Sequence, residues 1–202
     1  MRTIAIVPIK ALTATKTRLA AALDPPDRAA LTLRVLGGVL AALDTPGIAE
    51  RLVVTPDAAV LHAAEAAGAT GLRQDGAGLN AGLAQGRAWA RAAGAGAILI
   101  VLGALPFLGR DDVTALLALA DRPHVAVFAP DRHGTGTNAL LLRPPEALPF
   151  AFGVGSLARH RAAARERDLL TRSYESPGTA LDLDTPADLA ELDTILARVK
   201  SD

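Results

Sequence analysis

Residues Ala97–Leu102 read AILIVL, an unbroken apolar run followed by Gly103 and Pro106. A strand that is apolar at every position is buried on both faces, as the central strands of parallel sheets are. Working outward from it, short β-branched runs alternate with Ala/Leu-rich helical stretches. Upstream, strands are predicted at Thr3–Val7, Leu52–Thr55 and, weakly, Gly71–Arg73. Between them lie a helix capped by Asp24 with Pro25 at its first position, a helix near Asp57–Ala67, and a helix over Leu79–Ala93. Downstream, a helix begins at Asp111 or Asp112, and strands follow at Val125–Phe128 and Ala139–Leu142. A helix over Ser156–Arg167 with Ser156 as its cap, a short strand at Leu181–Asp184 and a helix over Pro186–Val199 complete the reading. This alternation predicts an α/β fold, a three-layer sandwich on a mostly parallel twisted sheet, with residues 1–202 as one domain.

Composition narrows the function classes. Half of the 202 residues are hydrophobic, but only one Trp, one Tyr and four Phe are present, so the core is built from Ala, Leu, Val and Ile. With 21 basic and 21 acidic residues the formal charge is zero, and no basic arm or stripe points to nucleic acid or a membrane surface. There is no cysteine, which excludes disulfides, thiolate metal sites and a Cys nucleophile. The apolar start of MRTIAIVPIK is short and broken by Pro8, so a cytoplasmic protein without a leader is expected.

The candidate chemistry sits after strand ends, where ligands bind in open α/β sheets. After the first strand, PIKALTATKTRLA carries Lys10, Lys16 and Arg18, cations suited to a polyphosphate. DGAGLNAGL, Asp75–Leu83, opens a helix whose free amides suit an anion or a nucleobase edge, with Asn80 able to donate and accept. PDRHGTGTNALLL, Pro130–Leu142, places two glycines and hydroxyls where a backbone cradle for phosphate or carboxylate oxygens is possible. FAFGVGSLARH, Phe150–His160, is a second glycine loop running into a helix. Asp182 and Asp184, two apart on one face, need a cation between them, and Mg²⁺ is the common hard partner. Asp184 or Thr185 alternatively caps the last helix, with Asp188 completing a capping box. The four histidines lack metal-ligand spacing, and no nucleophile–base pair is visible. A reaction whose nucleophile is a substrate phosphate needs positioning and charge neutralisation rather than a protein base.

In this order, VPIK…KTRLA, DGAGLNAGL, the LP after the central strand, APDRHGTGTNALLL, FGVGS and LDLDTPADL resemble the CofC/FbiD family of phosphoacid guanylyltransferases of deazaflavin coenzyme F-420 biosynthesis. The resemblance implies a GT-A-like nucleotidyltransferase fold. It implies transfer of GMP from GTP to a phosphorylated three-carbon acid (2-phospho-L-lactate, phosphoenolpyruvate or 3-phospho-D-glycerate) with release of pyrophosphate. By motif, Pro8, Lys10, Lys16, Gly78, Leu79 and Asn80 would take the nucleotide, with Lys16 and Arg18 on the triphosphate. Thr137, Asn138, Gly153 and Ser156 would hold the phosphoacid, and Asp182 and Asp184 would hold Mg²⁺.

One position departs from the family. Its central strand ends in Asp-Leu-Pro, whose carboxylate is a principal metal ligand, whereas this chain has Ala104 there, and a methyl group does not coordinate Mg²⁺. A weakened or silent nucleotide- and phosphoacid-binding homologue is therefore one alternative. A nucleotidyltransferase with another acceptor, such as a molybdopterin, is a second. The oligomeric state, monomer or homodimer, is left open by the sequence.

Overall fold

The computed structural model describes residues 1–199. In chain order the elements are β1 (Thr3–Pro8), α1 (Pro25–Ala42), β2 (Ile48–Thr55), α2 (Ala58–Ala66), β3 (Thr70–Arg73), α3 (Leu79–Ala92), β4 (Ala97–Val101) and α4 (Arg110–Ala118). They continue with β5 (Val125–Pro130), β6 (Thr137–Arg143), α5 (Ser156–Arg165), β7 (Leu170–Ser173), α6 (Pro177–Ala180) and α7 (Pro186–Val199). Short 3₁₀ turns at Leu12–Ala14 and Thr17–Leu19 lie in the segment after β1.

The strands form one sheet in the order β3-β2-β1-β4-β6-β5-β7. Every residue of β4 is fully buried, because helices cover both sides of the sheet. On one side, Leu36, Val39 and Leu40 of α1, Val60 of α2, Val113 of α4 and Leu192 of α7 pack against Val7, Val53, Leu99 and Leu141. On the other, Leu83 and Ala90 of α3 and Leu157 and Ala164 of α5 pack against Ile6, Ile98, Phe128 and Leu140. Burying each Leu, Ile or Phe in this way contributes about 1.5–3 kcal/mol. The three-layer sandwich expected from the sequence is present.

The sheet is mostly parallel, with one exception that matters for the site. β6 runs antiparallel to both of its neighbours, β4 and β5. Only residues 131–136 connect β5 to β6, and a parallel return needs a crossover of a dozen or more residues. β4 is thus parallel to β1 on one edge and antiparallel to β6 on the other.

Local details confirm some sequence expectations and correct others. Asp24 caps α1 by accepting from the Asp27 amide at 2.8 Å, and Pro25 follows at the first turn. Ser156 is the first residue of α5 rather than its cap; Gly155 stands at the cap with φ 68°. Leu181–Asp184 is extended but is not a strand: the Leu183 amide donates to the Ala104 carbonyl at 2.9 Å in place of a ladder. β7, an edge strand reading LTRS, and the single turn of α6 were not expected. Neither carries an apolar period long enough to announce it.

Candidate active site

The segment after β1 is folded back onto the carboxyl end of the sheet. The Asp57 carboxylate, which caps α2, also accepts the Leu12 amide at 2.8 Å and ties this segment down. Pro8 ends β1 and Lys10 is exposed just beyond it. Lys16 stands between the two 3₁₀ turns with φ 48°, and its side chain is only 6% exposed. Its ammonium donates to the Leu183 carbonyl. Arg18 reaches Asp184 from the surface, Nη1 to Oδ2 at 3.0 Å.

Asp182 and Asp184 therefore sit on either side of the peptide carbonyl that Lys16 grips. Their neighbours Leu181 and Leu183 are buried, which turns both carboxylates the other way. Burial, followed by the negative charge of Asp184, pushes the Asp182 carboxyl up to about 6, against the pull of Lys16. Burial holds the Lys16 ammonium below the usual lysine range, while Asp182, Asp184 and Asp188 oppose that shift. With Asp131, Arg132, Asn138 and Arg18, the two aspartates line a cleft of about 210 Å³. Ala104 contributes its carbonyl to Leu183 and only a methyl as side chain.

This donor set suits Mg²⁺ in a specific way. No group of three or more His, Cys, Asp or Glu side chains converges among the described residues. Mg²⁺ usually takes one or two carboxylates and completes its octahedron with substrate phosphates and water. Asp182, raised to about 6 by burial first and by the charge of Asp184 second, and Asp184 beside it in the same cleft would supply that partial shell.

The start of β6 divides two adjacent side chains between two surroundings. Asn138 lines the carboxylate cleft and donates to the Thr179 and Ala180 carbonyls at 2.9 and 3.2 Å. Thr137 turns to α5, where its hydroxyl lies 3.1 Å from Nδ1 of His160 and accepts from Ser156 Oγ at 3.3 Å. Thr137 and Ser156 are each 2% exposed. The other ring nitrogen of His160, Nε2, accepts the Ala151 amide at 3.0 Å. That fixes the tautomer, with the proton on Nδ1 directed at Thr137. Burial, then the charge of Arg159, brings the imidazole down to about 4, so it is neutral near pH 7.

The loop Phe150–Gly155 is held from outside. Arg159 donates to the Ala151 and Val154 carbonyls, and Asn80 brackets Phe152. Gly153 and Gly155 have φ of 119° and 68°, a backbone that side-chain-bearing residues rarely adopt. Among the described residues, the amides of Gly153, Val154 and Gly155 donate to no protein acceptor. Gly78 caps α3 with no side chain, and Leu79 packs partly into the core below it.

Two anchors were not assigned a role from sequence. Asp131 accepts the Thr135 amide at 2.9 Å and the Thr135 hydroxyl at 3.2 Å, bracing the glycine loop. Although burial works the other way, these hydrogen bonds hold its carboxyl below the usual range. Arg132 pairs with Asp188 and Glu191 and so docks the same loop on α7. Asp188 meanwhile accepts the Thr185 amide at 2.6 Å while its own amide donates to Thr185 Oγ1 at 3.3 Å, the expected capping box. An Asp four residues before Thr135 in a turn-rich loop was the available signal for Asp131. Nothing local marked Arg132, whose partners lie more than fifty residues away.

Residues 3–196 match a protein family described as "Guanylyl transferase CofC like". A phosphoenolpyruvate guanylyltransferase of Rubrobacter xylanophilus is 51% identical over 193 residues, covering 96% of this chain and 94% of that protein. One of Sphaerobacter thermophilus is 48% identical, covering 95% and 93%. Among solved structures, a nucleotidyl transferase from Methanothermobacter superposes with a TM-score of 0.73 at 18% identity, covering 98% of this chain and 99% of that one. At that identity the likeness concerns the fold alone.

Proposed function

This chain belongs to the CofC-like guanylyl transferase family, and from that premise we propose that it moves GMP from GTP onto phosphoenolpyruvate and releases pyrophosphate. The step would supply a guanylylated phosphoacid to deazaflavin coenzyme F-420 biosynthesis. The observation that carries the reading is the meeting of two halves at β6: the cleft lined by Asp182, Asp184 and Arg18 with Lys16 buried behind it on the Leu183 carbonyl, and the loop whose Gly153, Val154 and Gly155 amides donate to no acceptor among the described residues.

The triphosphate lies along Lys16 and Arg18, with the open N-terminus of α3 at Gly78 and Leu79 receiving the nucleoside. Consecutive backbone amides favour anions, so Gly153, Val154 and Gly155 receive the phosphate or carboxylate of the acid, beside Thr137 and Ser156. A phosphate oxygen of the acid forms a bond to the α-phosphorus of GTP as the bond to the β-phosphate oxygen breaks. The nucleophile is already ionised, so the step needs positioning and charge neutralisation rather than a protein base. Asp182 and Asp184 would hold Mg²⁺, which when bound would supply charge neutralisation for the phosphate oxygens. Pairing to Leu183 keeps the Lys16 ammonium fixed before substrate arrives, so no reorganisation is needed as charge develops.

Ala104 favours a second reading, a homologue that binds both ligands and turns over slowly. Pyrophosphate release is measured from GTP with phosphoenolpyruvate, 2-phospho-L-lactate or 3-phospho-D-glycerate in the presence of Mg²⁺. Release with phosphoenolpyruvate is expected. Ligand binding without release supports the second reading. No release and no binding with any acid, for the chain and for Ala104→Asp, refutes both.

A further inference from the structure

We propose that Asn80 is a positioning residue for the acceptor acid, strapping the acceptor loop to the nucleotide half of the site; this rests on the reading that the loop Phe150–Gly155 takes the acid. Both polar atoms of the Asn80 amide are committed to the main chain of Phe152. Nδ2 donates to the Phe152 carbonyl at 3.1 Å, and Oδ1 accepts the Phe152 amide at 2.9 Å. The two contacts join positions 72 residues apart. This pairing takes the edge on which an N–H and an oxygen lone pair stand side by side; the remaining N–H and lone pair point apart and do not together read a nucleobase edge.

Arg87, two turns further along α3, lies 4.5 Å from the Phe150 ring centroid and steadies the start of the loop, while the other side-chain hydrogen bonds to the loop come from α5, a few residues further along the chain. His160 accepts from the Ala151 amide, and Arg159 donates to the carbonyls of Ala151 and Val154. They shape the loop relative to the helix it leads into. Asn80 stands at the second position of α3, directly after the Gly78–Leu79 opening. It therefore sets where the loop stands relative to the nucleotide. Phe152 is anchored on its other side by its ring, which meets His160 edge-on with centroids 4.9 Å apart. With Phe152 pinned from both directions, the amides of Gly153, Val154 and Gly155 are held in place before an acid arrives. A preorganised loop avoids the ordering cost that a free one meets on binding.

Calorimetry on the full chain with Mg²⁺ tests this. GTP is titrated alone, and phosphoenolpyruvate is titrated into protein saturated with α,β-methylene-GTP. Asn80→Ala is expected to raise the Kd for phosphoenolpyruvate about tenfold while leaving that for GTP within about twofold. Asn80→Asp keeps the acceptor for the Phe152 amide but sets an oxygen against the Phe152 carbonyl, and is expected to weaken the acid at least as much. This second variant also serves if the first does not fold. A loss confined to GTP overturns the proposal and assigns Asn80 to the base; unchanged affinity for both ligands overturns it as well. A wild-type chain that binds GTP but no phosphoacid refutes the functional reading instead, which separates the two failures.

Discussion

Acidification is expected to destabilise this protein through His160. The imidazole is fully buried between Phe128 and Phe152, and both ring nitrogens are used, one on the Ala151 amide and one on Thr137. Protonation puts a second N–H against the Ala151 N–H, with no acceptor between them. The folded state therefore resists the proton until about pH 4, while an unfolded histidine takes it near 6.5. Between those values the unfolded chain binds a proton that the folded chain lacks, so stability is fully present above about 6.5 and falls as pH drops. At roughly 1.4 kcal/mol for each pH unit in that window, the loss accumulates to about 3 kcal/mol by pH 4. Urea unfolding of the wild type and His160→Gln at pH 7, 5.5 and 4 isolates the effect, because other titrating groups cancel in the difference. The advantage of the wild type over the variant should shrink by about 3 kcal/mol across that range. A difference that stays flat, or an NMR titration of His160 near 6.5, would refute the reasoning.

Ala104→Asp is expected to raise turnover by orders of magnitude, since a metal that stabilises transition-state charge is worth several kcal/mol; pyrophosphate release at saturating GTP reads it. Lys16→Met removes the buried cation held on the Leu183 carbonyl and should lower kcat/KM about 100-fold or more, with the fold retained by circular dichroism. Gly178→Ala would bring a Cβ within 2.1 Å of Asp112 Oδ2 and 2.8 Å of the Phe107 carbonyl. That carboxylate also holds Tyr174 and Ser176, at 2.8 and 2.6 Å, so the crowding should cost about 1–3 kcal/mol in thermal or urea melts while GTP affinity is kept.

The sheet was legible because buried strands leave a continuous apolar imprint, as in AILIVL, and because Asp24 and Asp57 mark helix starts with local hydrogen bonds. Strand direction was not legible for β6. Its antiparallel course follows from the shortness of the connection at 131–136, and only the observed pairing showed which strands are its neighbours. The grouping of Lys16 with Asp182 and Asp184 was implied by the motif resemblance, and the contact that brings them near one another, the Lys16 ammonium on the Leu183 carbonyl, was not legible. Nor were the roles of His160, Arg132 and Arg159, since each depends on backbone groups or carboxylates brought close by tertiary packing. Asn80 shows the same limit: its residue type advertised a bidentate contact, while the sequence carried no hint that the partner would be Phe152.

The hydrogen bond from Leu183 to Ala104 uses main-chain atoms only. An Ala104→Asp exchange therefore leaves intact the contact that holds the stretch bearing both aspartates. A carboxylate placed there would test metal binding without disturbing that contact. Side chain and chain path are thus independent at this position, so Ala104→Asp varies the ligand set while the backbone that presents Asp182 and Asp184 stays as it is.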